Sequence, residues 1–204
     1  MEQKPTRVRI VDAARELMLS LGLARTTTKE IAKAAGCSEA ALYKHFSSKE
    51  ELFVTVLNER LPKLGALLST LAGDPGRAGV EENLTDIARQ AALFYEQTFP
   101  MAASLYAEPQ LKRRHEDAMR EMRTGPHKPI EGLAAYLRAE QQAGRISSDA
   151  DPYAAASLLL GACAQRAFAY EATPDRRPPQ PLDEFAAGLA RTLLRGISVA
   201  DGPH

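Results

Sequence analysis

An all-α fold is predicted by three observations. Apolar residues recur at helical spacing almost throughout the 204-residue chain. No alternating strand pattern of convincing length interrupts them. Glycine and proline clusters cut the periodic stretches into helix-sized pieces.

The first helix is expected from about Thr6 to Gly22, on the stripe Ile10, Ala14, Leu17 and Leu21. Thr27 then offers a cap to a second helix, and Glu30 three residues on completes a capping box. Ile31 and Ala35 share one face of it, and Gly36 stops it. Ser38 supplies the cap of a third helix, whose Leu42 and Phe46 point back at the second. The three-residue turn Gly36-Cys37-Ser38 makes the pair a helix-turn-helix, in which the later helix is presented outward to a DNA major groove. With Leu42 and Phe46 inward, Tyr43 and Lys44 fall on other faces beside His45. Such side chains reach phosphates and base edges, although an exposed Tyr and Lys also occur on helices with no such task.

Ser48 and Glu51 form another capping-box pair, opening a fourth helix through Leu52, Val56, Leu61, Leu64 and Leu68 to about Gly73. Pro62 lies inside it and removes a donor to the Asn58 carbonyl, which predicts a kink there. The loop Ala72 to Gly79 divides this part from the rest. Further helices are expected at about 80 to 98, 101 to 123 with a break at Pro109, 127 to 144, 150 to 172 and 182 to 197, giving about nine in all. The expected domains are a helix-turn-helix head, residues 1–50, and a helical body, residues 51–204.

The string Leu42-Tyr43-Lys44-His45-Phe46-Ser47-Ser48-Lys49-Glu50-Glu51-Leu52, preceded by Ile31 to Ser38, closely resembles the DNA-binding domain of the tetracycline-repressor (TetR) family of bacterial transcription regulators. The likeness covers about the first quarter of the chain; Cys37, where a branched aliphatic is usual, and Ala40, where glycine is frequent, depart from the pattern. It implies phosphate contacts from Tyr43, His45 and Lys49, and base contacts from Ser38, Glu39, Ala40 and Lys44. Thr27 and Thr28, at the motif's start, complete the expected DNA-binding set. The resemblance further implies a ligand cavity in the body, for which Phe94, Tyr95, Met101, Tyr106, Met119, Met122, Tyr136 and Phe168 are the candidate lining, with Phe99 beside them. Each of these side chains is equally at home in an ordinary helical core.

From Tyr153 to Ala164 only Ser157 is polar, so this helix has no face fit for water and is expected to be buried on two sides. One side would meet its own subunit and the other a partner. Ala156, Leu160, Cys163 and Ala164, with Leu189 and Leu193 on the last helix, are the expected contacts of a homodimer built on a four-helix bundle, an arrangement the resemblance also implies.

Lys plus Arg and Asp plus Glu number 26 each, and the first 60 residues carry a net charge of only about +2, so DNA binding would rest on placement. No apolar run approaches the ~18 residues of a membrane span, and the N-terminus lacks a signal-peptide pattern; a cytoplasmic protein is expected. Cys37 and Cys163 read as small core hydrophobes. No Gly-x-Ser-x-Gly elbow, P-loop or Cys-x-x-Cys appears, and His115-Glu116-Asp117-Ala118-Met119 lacks the second histidine of a zinc site. The expectation is a ligand-responsive regulator, most simply a repressor released from a palindromic operator by a small apolar molecule, with no cofactor and no enzymatic activity. Its alternatives are a regulator switched by a protein partner and an enzyme with an accessory DNA-binding head.

Overall fold

The computed structural model describes residues 4–59, 64–74, 78–172 and 180–197. These residues form ten helices and no strand. They are α1 (Thr6–Leu21), α2 (Thr28–Ala34), α3 (Glu39–Tyr43), α4 (Lys49–Glu59), α5 (Leu64–Gly73), α6 (Val80–Ala107), α7 (Pro109–Glu121), α8 (His127–Gln142), α9 (Pro152–Ala172) and α10 (Leu182–Arg195).

One expected boundary differs, and another falls on residues outside those described. The single helix expected from Ser48 to Gly73 is described as α4 and α5, and Pro62, with its expected kink, lies outside the described residues. The break expected near residue 100 is not there: α6 runs 28 residues with Pro100 inside it. A proline in a helix interior costs about 3 kcal/mol in lost bonding and ring clash, a local penalty that burial of the flanking Met101 and Leu105 offsets here. Pro109, by contrast, occupies the first turn of α7, where the missing N–H needs no helical partner.

The chain divides into two compact units. The first comprises Met1–Lys63 and Glu96–Pro126, and the second Leu64–Tyr95 and His127–His204. In the first, Ile10, Val11, Ala14 and Met18 of α1 meet Ile31, Leu42, Phe46, Leu52, Phe53 and Val56 in a core completed by Met101, Leu105 and Leu111. Phe53 of α4 lies against His115 of α7, ring centroids 5.2 Å apart. Glu50, almost wholly buried, is paired at 3.1 Å with Arg114 of α7. The compact unit that carries the helix-turn-helix thus takes in α7 and the last part of α6.

The second unit packs α8 against α5 and α9. Leu64, Leu68 and Leu71 of α5, Leu84, Ile87 and Ala91 of α6, Leu133 and Leu137 of α8 and Leu159 and Leu160 of α9 form its core. Tyr136 is buried within that core, its hydroxyl accepting from Asn83 Nδ2 at 3.0 Å. Glu140, also fully buried, is neutralised by Arg145. Among the described residues, no helix is long and apolar enough to cross a membrane.

Candidate nucleic-acid interface

Local chemistry fixes both ends of α2. Its capping box is formed in full: Glu30 N–H donates to Thr27 Oγ1 at 3.2 Å, and Thr27 N–H donates to Glu30 Oε2 at 3.0 Å. The turn after it requires Gly36, whose φ of 64° is a left-handed conformation that a Cβ strains. Arg9 of α1 reaches this turn, Nη1 donating to the Ala35 carbonyl at 2.6 Å and to that of Gly36 at 3.3 Å. A guanidinium therefore caps the C-terminal end of α2, where helix carbonyls carry partial negative charge.

Ser38 then caps α3, its Oγ accepting from Ala41 N–H at 3.1 Å. Leu42 and Phe46 are buried, which turns the opposite side of the segment outward. Ser38, Ala40, Tyr43, Lys44 and His45 are exposed there, Tyr43 by 51%. Thr27 is exposed as well, and Thr28 and Glu39 are half-buried. Thr28 Oγ1 donates to Glu39 Oε1 at 2.6 Å and lies 3.3 Å from the Tyr43 hydroxyl, so the start of α2 is tied to both ends of α3. Nothing in the residue spacing announces this contact, because its partners stand 11 and 15 positions apart.

Lys49 departs from the phosphate role that the sequence suggests. Its half-buried ammonium donates to the carbonyls of Leu23 at 2.9 Å and Thr26 at 3.0 Å, with Ala24 at 3.5 Å. Burial pushes its pKa below the usual lysine range, opposed by the charge of Glu50. The Lys49 charge thus holds the chain between α1 and α2. Ser48 caps α4 as expected, but Glu51 reaches back to the N–H and hydroxyl of Ser47.

The other expected sites fall in both units. Phe94, Tyr95, Tyr136 and Phe168 belong to the second unit, whereas Met101, Tyr106, Met119 and Met122 belong to the first. Tyr136 and Met101 are wholly buried in their respective cores, and Phe168 is 55% exposed. Phe94, Tyr95 and Met119 are half-buried, Met122 is at the surface, and the side chain of Tyr106 lies outside the described residues. Desolvation raises the Tyr95 phenol to about 12. Ala156, Leu160 and Cys163 require a correction: they face inward into their own subunit's core, where a partner has no access. Ala164, Leu189 and Leu193 are half-buried. The outward side of α9 is another stripe, Ala154, Leu158, Gly161, Gln165 and Phe168, with Tyr153 beside it. Burial pushes the Cys163 thiol up to about 12, and its Sγ donates to the Ala88 carbonyl, so it acts as a small core residue. Among the described residues, no cluster of three or more His, Cys, Asp or Glu is placed to hold a metal.

Comparison with known proteins agrees with this geometry. Residues 10–56 match the family described as bacterial regulatory proteins, tetR family. The chain is 39% identical over 71 residues to the HTH-type transcriptional regulator YvkB of Bacillus subtilis (strain 168), a match covering 35% of this chain and 38% of that protein. It is 29% identical over 203 residues to the HTH-type transcriptional regulator UidR of Escherichia coli (strain K12), covering 98% of this chain and 96% of that one. The fold is also that of the transcriptional regulator FadR from Bacillus subtilis, solved in complex with stearoyl-CoA, with a TM-score of 0.67 over 94% of this chain and 99% of that one at 18% identity. With a formed helix-turn-helix at the matched residues, the chain carries a DNA-binding domain of the tetR family of bacterial regulatory proteins, alongside an all-helical second unit.

Proposed function

We propose that this regulator is a cytoplasmic homodimeric repressor that binds a palindromic operator and leaves it when a small, largely apolar molecule enters the helical body, residues 51–204. The observation that carries the reading is the exposed side of α3. Ser38, Ala40, Tyr43, Lys44 and His45 are exposed there; on a duplex Ser38, Ala40 and Lys44 would meet base edges, and His45, with the Tyr43 ring, would lie along the DNA backbone. One such head gives too few contacts for operator specificity, which argues for two.

The second head comes with a second copy of the chain. Leu158 is 66% exposed and Phe168 55%, and with Gly161 between them they make an apolar stripe two turns and more in length on α9. Covering each large side chain is worth ~1.5–3 kcal/mol, and Gly161 lets another helix approach, since nothing lies within 4 Å of where its Cβ would be. The two recognition helices would then lie ~34 Å apart or a modest multiple of that, matching half-sites on one face of the duplex.

A small-molecule effector is favoured over a protein partner because the same fold in FadR accommodates stearoyl-CoA. The effector releases DNA only by binding the DNA-incompetent state better than the competent one, a coupling of ~1–3 kcal/mol being typical. The test is operator titration with and without added long-chain acyl-CoA and other apolar ligands, alongside sedimentation of the full chain and its Leu158→Asp variant. Ligand-dependent release and a Leu158→Asp monomer with weakened binding are expected. A wild-type monomer binding one asymmetric half-site would overturn the dimer, and release by an added protein alone would favour the partner-switched alternative.

A further inference from the structure

Resting on the DNA-binding reading, we propose that Glu39 determines operator sequence by accepting a hydrogen bond from a cytosine N4 amino group, and that Thr28 is the positioning residue that aims it. Glu39 is the first residue of the recognition helix α3, which projects from the caps formed by Ser38 and the Gly36 turn. A carboxylate in this place is repelled by phosphates, so its favourable partner on a duplex is a base-edge donor.

The proton inventory of the cluster fixes what it presents. Thr28 has one hydroxyl proton, and its 2.6 Å contact with Glu39 Oε1 uses it, because an ionised carboxylate only accepts. The 3.3 Å contact between Thr28 and Tyr43 must therefore run the other way, with the Tyr43 hydroxyl donating. The chain Tyr43 to Thr28 to Glu39 is directional. It delivers its last proton to Oε1 and leaves Oε2 as an acceptor on a side chain that no longer rotates freely.

Two donors are offered in the major groove, cytosine N4 and adenine N6. Adenine carries its N7 acceptor beside N6, which would stand against a carboxylate oxygen; cytosine brings no acceptor of its own to that edge. Cytosine is therefore selected, and guanine and thymine, which present O6 and O4, are rejected. An amide at the same position has the opposite preference, since it donates to N7 while accepting from N6.

Selection from randomised duplexes with the full-length chain and its variants tests this directly. The wild type is expected to enrich cytosine at one position of each half-site. Replacing that base by the 2-pyrimidinone analogue, which lacks the N4 amino group, should weaken binding ~5–10-fold, the low end for a lost base contact. Glu39→Ala should bind all four bases there alike, and Glu39→Gln should move the preference to adenine. Thr28→Val should blunt the cytosine preference at an unchanged salt slope, with Thr28→Ser restoring it; a merely structural Thr28 would lower affinity equally for every base. A palindrome enriched with the same preferences by wild type and Glu39→Ala overturns the role of Glu39 and leaves the DNA-binding reading standing. Failure of the wild type to enrich any sequence overturns both.

Discussion

Lys49→Met separates two kinds of cation on a DNA-binding surface. A lysine that neutralises a phosphate contributes about 0.9 to the slope of log affinity against log salt. A lysine spent on backbone carbonyls contributes nothing to that slope and stabilises the fold instead. In this structure the Lys49 ammonium has two carbonyls at 2.9 and 3.0 Å and a third at 3.5 Å. A hydrogen bond from a charged donor is worth ~1.5–3 kcal/mol; with Lys49 half-buried and water able to replace part of each bond, the lower end applies, ~1.5–2 kcal/mol for the pair of short contacts together. In a chain of this size that corresponds to a fall of roughly 3–8 °C in Tm. Calorimetry and operator titration from low to moderate salt make the measurement. The expected result is a lowered Tm, weaker binding to all duplexes through the loosened start of α2, and a parallel salt plot. An unchanged Tm with a slope shallower by about one would refute the reasoning and return Lys49 to the phosphates.

Four further outcomes follow from the same contacts. Arg9→Met removes the cap on α2 and should cost ~1–2 kcal/mol of stability, read by chemical denaturation. Gly36→Ala forces a Cβ into a left-handed turn, 3.2 Å from Arg9 Nη1, and should cost ~1–2 kcal/mol by the same assay. His115, buried against Phe53 with its Nδ1 unpartnered, has its pKa lowered by desolvation, against the opposing charges of Glu116 and Glu50. The unfolded chain therefore takes this proton first, so stability should fall as pH drops below about 6.5 and level off below the folded pKa; urea midpoints against pH should show that loss reduced in His115→Leu. Cys163 should resist thiol reagents in the native protein, whereas half-buried Cys37 should react first, as mass spectrometry of timed alkylation would show.

The head was legible because its signals are local. A capping box needs only Thr27 and Glu30, a turn only Gly36, and a recognition helix only the i, i+4 pair of Leu42 and Phe46. What could not be read was every contact made across the fold. Thr28 meets Glu39, Arg9 meets Ala35 and Lys49 meets Leu23 and Thr26 only after α1, α2 and α4 have packed, and no spacing rule links those positions. The failure near Pro100 has the same origin: a proline marks a helix end by local cost, and packing of Met101 and Leu105 outweighs it.

The body shows the limit from another side. Helix α9 is apolar almost all round, so periodicity announces that two faces are covered without saying which belongs to which neighbour. Ala156, Leu160 and Cys163 were as good a choice of outer stripe as Ala154, Leu158, Gly161 and Phe168 until α8 and α6 took the first set into the core. The two sets differ in one physical respect. The inner one sets a single large side chain, Leu160, between the small Ala156 and Cys163, whereas the outer one spaces two large side chains around a glycine, a shape suited to receiving another helix. An amphipathic helix reveals its core face by contrast with its polar face; when that contrast is missing, only the tertiary partner decides which face the core takes.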